Sequence, residues 1–127
     1  MNKIFLCLSL LAPLTAIGCG GAIRVGDAYR DDTAKLLTAQ ANPRVHDCFD
    51  GIVKSTPGPK ALAGTTTVHF IVAKDSGLIS NVTVVPESTT AQPPVAQCVV
   101  TALNGLKLDP PDNVDGDATF TWEFVVQ

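Results

Sequence analysis

The segment "NPRVHDCFDGIV", Asn42 to Val53, sets Cys48 beside His46, Asp47 and Asp50, the residue types of a thiol nucleophile with a base and an orienting carboxylate. Such chemistry needs a depressed thiol pKa and an accessible sulfur. His69, in "TVHFIV", reads either as a distant base for a reduced Cys48 or as a partly exposed strand histidine. Asp109, Asp112, Asp115 and Asp117 form an acidic loop, but its spacing, with two prolines, is not that of a calcium-binding EF-hand loop. A solvated loop is the expectation there.

The elements that carry these residues separate them. Val45, Cys48, Phe49 and Ile52 fall at i, i+3, i+4 and i+7, which makes one apolar helical face with Cys48 turned inward. His46 lies about 200° around the same helix, on the opposite side. Asn42 is a good N-cap residue and Pro43 suits the first helical position, so a helix is predicted over Pro43 to Lys54. A further helix opens at Pro93 or Pro94 and carries Val95, Cys98, Val99, Ala102, Leu103 and Leu106 at helical spacing, with Cys98 in the place that Cys48 holds on its own helix. No catalytic residue is therefore expected.

The remaining segments complete the order. Ala28 to Gln40 reads as a helix with Tyr29, Thr33, Leu36 and Leu37 on one side, and Ser55 to Gly64 as a loop. Val68, Phe70 and Val72 alternate with Thr67, His69, Ile71 and Ala73 in a strand, and Asp75, Ser76 and Gly77 turn the chain into a second strand with Val82 and Val84. Ile79 is out of phase with those two valines, which predicts a bulge. After the loop Leu108 to Asp117, a last strand puts Phe120, Trp122, Phe124 and Val126 on one face. The order α-α-β-β-α-β, with helices packed on a small antiparallel three-stranded sheet, is an α+β domain.

A chain of 127 residues with 46% hydrophobic residues holds one domain, here residues 28–127. The net charge of -3 and the absence of a Lys/Arg cluster exclude the basic footprint of nucleic-acid binding. The four cysteines show no close CxxC pairing, so no metal site is expected, nor any cofactor. "MNKIFLCLSLLAPLTAIGCGG" has a cationic start at Lys3, an apolar run from Ile4 to Ile17 shorter than a membrane span, and small residues ahead of Cys19. Its end, "TAIGC", resembles a bacterial lipoprotein signal. That resemblance implies removal of residues 1–18, lipidation of Cys19 and membrane attachment through it, and the small, Gly-rich run over residues 19–27 suits a tether. Ordinary cleavage near Gly18, leaving Cys19 free, is the other reading. In an exported protein the two remaining cysteines, Cys48 and Cys98, should pair with each other, closing a loop worth about 4 kcal/mol.

"VHFIVAKDSGLISNVTVV", "VAQCVVTALNGLKLDPP" and "FTWEFVV" together resemble the C-terminal domain of TonB-type proteins, and more closely the AgmX/PglI C-terminal domain type. Cys48 and Cys98 match that group's two cysteine places. Leu106 and Leu108 stand where the group has tryptophan and phenylalanine, and Glu123 stands where it has a proline. The resemblance implies a non-enzymatic protein-interaction domain in the cell envelope, facing the periplasm from the outer membrane, with Trp122 and Phe124 on the contact strand. A small-ligand or peptidoglycan-binding lipoprotein is the alternative, and it would need a pocket with convergent polar groups.

Overall fold

A computed structural model describes residues 26–127. Lys3, the apolar run and Cys19 lie outside the described residues. The chain opens with helix α1 (Gly26–Leu36), passes through a five-residue π turn (Leu37–Ala41) and continues as α2 (Asn42–Ser55). A 3-10 turn, Pro59–Leu62, leads to β1 (Gly64–Val72) and β2 (Ile79–Val84). Then come a 3-10 turn at Pro86–Ser88, helix α3 (Pro93–Leu103) and strand β3 (Gly116–Phe124). The class and element order are those expected from the sequence, an α+β domain with a three-stranded antiparallel sheet.

The first two helices are not separated by a cap, contrary to expectation. Asn42 has helical φ and ψ of -54° and -45°, and its backbone N–H donates to the Leu37 carbonyl five residues back. Pro43 lacks the N–H that the Ala39 carbonyl would accept, and its ring crowds that carbonyl. The π turn directly upstream absorbs both defects by shifting the hydrogen-bond phase, so the helix continues through the proline. Asn42 is thereby left with a side chain free for another purpose.

The sheet has the order β2-β1-β3. β1 pairs with β3 without interruption from Gly64 opposite Phe124 to Val72 opposite Gly116. With β2 the register slips, because His69 faces Thr83 whereas Ile71 faces Ser80, two residues against three. The extra residue is the bulge expected from the phase of Ile79, and Asn81 within it has φ of 52°.

One face of the sheet holds the core. Val68, Phe70 and Val72 from β1 and Ile79 from β2 are buried beneath Val95, Val99 and Leu103 of α3 and Val45 and Phe49 of α2. Leu106 and Leu108, just past α3, are buried as well. The long α1–α2 helix runs along β3. Tyr29 crosses the start of β3, where a Cβ on Gly116 would collide with its ring, and Asn42 reaches Trp122 further along. The two contacts lie thirteen residues apart on the helix and six apart on the strand, each a span of about 20 Å.

Candidate functional site

Cys48 and Cys98 form a disulfide, with Cα atoms 5.7 Å apart. Cys98 is buried as expected, but Cys48 is exposed, which corrects its placement on the core face. The buried stripe of α2 is centred on Val45 and Phe49. Cys48 sits at the margin of that stripe, about 100° from Phe49, and reaches sideways to α3. The bridge ties the helix beside β3 to the helix over β1 and β2. It also leaves no thiol at position 48 for the nucleophilic chemistry first suggested by its neighbours. His46 pairs with Asp50, one turn on along α2, at 3.3 Å.

The other polar candidates are spread over the sheet and its loops. His69 Nε2 lies 3.3 Å from Asp117 Oδ2 across β1 and β3. Asp115 accepts a hydrogen bond from the Lys74 backbone N–H at 2.8 Å, and the Asp112 carbonyl accepts one from Asp75 N–H. The acidic loop thus braces the β1–β2 turn. Among the described residues no three His, Cys, Asp or Glu side chains converge as metal ligands would.

A concavity lies where α2 and the end of β3 diverge. It is a groove of about 600 Å³ lined on the helix side by Asn42, Val45, His46, Phe49, Asp50 and Val53 and on the other by residues from Trp122 to Gln127. Phe49 and Phe124 meet at its floor with ring centroids 4.8 Å apart. Phe124, expected as a contact residue, is therefore 6% exposed and built into the floor. Trp122 stands half-buried on the wall, and its indole Nε1–H donates to Asn42 Oδ1 at 2.8 Å. That bond occupies the side chain that was expected to cap the helix. Val125, 69% exposed, sits at the groove's open end.

Beside the groove runs the outer edge of β3. The Thr67 carbonyl accepts from Val85 N–H at 2.8 Å and Thr67 N–H donates to Thr89 Oγ1, so the backbone of Thr67 points toward the β2 side. Strand geometry then turns Thr66, Val68 and Phe70 toward β3, where they face Trp122, Phe120 and Ala118. The alternate β3 residues, Asp117, Thr119, Thr121 and Glu123, direct their N–H and C=O groups away from the sheet. No described residue bonds to the N–H or C=O groups of Thr119, Thr121 or Glu123. Sequence reading pointed to Trp122 and Phe124 but missed the α2 half of the groove, because Val45 and Phe49 follow a core pattern whether or not a strand end lies beside them.

Among the described residues no helix is long and apolar enough to cross a membrane. No family model, curated protein or solved structure matches this chain.

Proposed function

We propose that this chain is a lipid-anchored cell-envelope protein whose α+β domain is non-catalytic and captures an extended segment of another envelope protein along β3. The observation that carries this reading is the pairing of an open strand edge with an apolar groove. An added strand would take its backbone hydrogen bonds from Thr119, Thr121 and Glu123. Its alternate side chains would fall into the space between Phe49 and Trp122. The resemblance of the hairpin, the two cysteine places and the aromatic strand to TonB-type and AgmX/PglI C-terminal domains supports the same use. The anchor rests on "TAIGC" and Cys19. Replacing Cys19 by Ser should release the protein from the membrane fraction, and unchanged fractionation would count against lipidation.

Trp122 is the sole tryptophan, so its emission reports directly on the groove. Partner binding should shift that emission and slow hydrogen exchange at the Thr119, Thr121 and Glu123 amides. Thr119→Pro, which removes an edge donor without touching the ladder to β1, should weaken binding at least about tenfold. An emission shift with no protection of the edge amides would instead favour a small ligand held in the groove. Protection of those amides in a species of twice the monomer mass would replace the foreign partner by a second copy of this chain.

A further inference from the structure

We propose that the β3 edge selects a cationic strand, one with lysine or arginine at two outward positions six residues apart. The inference rests on strand addition as the domain's mode of binding. On the solvent face, β3 presents Asp117, Thr119, Thr121 and Glu123 in succession, carboxylates at both ends and hydroxyls between. Neither β1 nor β3 contains a lysine or arginine. Side chains directly across two paired strands lie about 5 Å apart, where opposite charges attract and like charges repel. An incoming strand therefore meets acid at each end and a β-branched polar surface in the middle. Because the two acids are placed symmetrically about Thr119 and Thr121, the preference holds for either strand direction. On the other face of the incoming strand, apolar residues face Phe49 and Trp122, with the His46–Asp50 pair on the groove's helix side.

The two carboxylates are not equivalent. Asp117 is shared with His69 at 3.3 Å, whereas Glu123 makes no ion pair with any described residue. Glu123 is accordingly the stronger determinant. Natural edge strands are commonly guarded by lysine or proline, which discourages pairing. Here the guards are acidic, so they exclude acidic or identical strands and admit basic ones.

The test uses the full chain in detergent micelles and two dye-labelled peptides, KVTVTVK and EVTVTVE, whose outward positions differ only in charge. At about 0.01 M ionic strength, where the Debye length is about 30 Å, the basic peptide should bind roughly tenfold or more tightly than the acidic one by fluorescence anisotropy. Near 1 M salt, where that length is about 3 Å, the ratio should approach unity. Glu123→Gln should lower the low-salt ratio about threefold and Asp117→Asn by less, with circular dichroism confirming that both variants fold. Equal binding of the two peptides, or tighter binding of the acidic one, overturns the charge preference while leaving strand addition standing. Binding of neither peptide, or binding that Thr119→Pro leaves intact, overturns strand addition itself and the preference with it.

Discussion

The outer strands β2 and β3 end the same sheet in different ways. β2 is six residues long and interrupted by a bulge at Asn81, and beyond its start Leu78 forms a bridge with Lys107. Ile79 N–H donates to the Leu106 carbonyl at 2.9 Å, and Leu108 N–H donates to the Gly77 carbonyl at 2.8 Å. The segment after α3 therefore covers one end of this edge with its own backbone. β3 is nine residues long, has no bulge in its ladder to β1, and leaves the edge amides of Thr119, Thr121 and Glu123 without a described partner. Proteins shorten, twist or cover edges that must not pair. One edge here is short, bulged and covered at one end, whereas the other runs nine residues with no described partner, and it is along that second edge that the proposed capture of a strand would take place.

The disulfide supports both edges at once, since it joins α2, beside β3, to α3, over β1 and β2. Its removal by Cys48→Ser with Cys98→Ser should have the largest effect, lowering unfolding free energy by about 4 kcal/mol in urea titration. The β2 side alone can be broken at Gly77. This residue has φ of 73°, and a Cβ there would run into the Leu108 backbone. Gly77→Ala should cost about 3 kcal/mol, from left-handed strain and displacement of the covering segment. It should also raise self-association in sedimentation velocity, as β2 loses part of its cover; a variant that sediments as the parent protein does would show the cover to be dispensable. Trp122→Phe, on the β3 side, removes the bond to Asn42 and part of the groove wall. A loss of about 1 kcal/mol is expected by thermal denaturation. Smallest is Thr119→Pro, which should shift stability by about 1 kcal/mol or less because the lost N–H faces solvent. A shift several times larger would mean that Thr119 contributes to the ladder with β1 and that the edge is not free.

Much of this architecture was legible in the residues. The alternation of Val68, Phe70 and Val72 located β1, the phase of Ile79 announced the bulge, and Val95, Val99 and Leu103 marked the face of α3. The errors have identifiable causes. Asn42 has cap chemistry and stands before a proline, yet the helix runs through it, because a π turn accommodates Pro43 and Trp122 takes the asparagine side chain. Cys48 satisfies an apolar i, i+3, i+4 pattern but lies at its margin, where a disulfide can reach a neighbouring helix without entering the core.

By itself, the sequence determined what local patterns encode: an α+β order, the hairpin and its irregularity, and an aromatic last strand. Periodicity and turn chemistry act over a few residues, so they need no partner to be read. Tertiary structure alone decided that β3 joins β1 rather than β2, that no described residue pairs with its other edge, and that α2 lies close enough to make a groove with Trp122. Those outcomes depend on contacts between residues far apart in sequence, from Val72 and Gly116 to Asn42 and Trp122, and no local pattern carries that information.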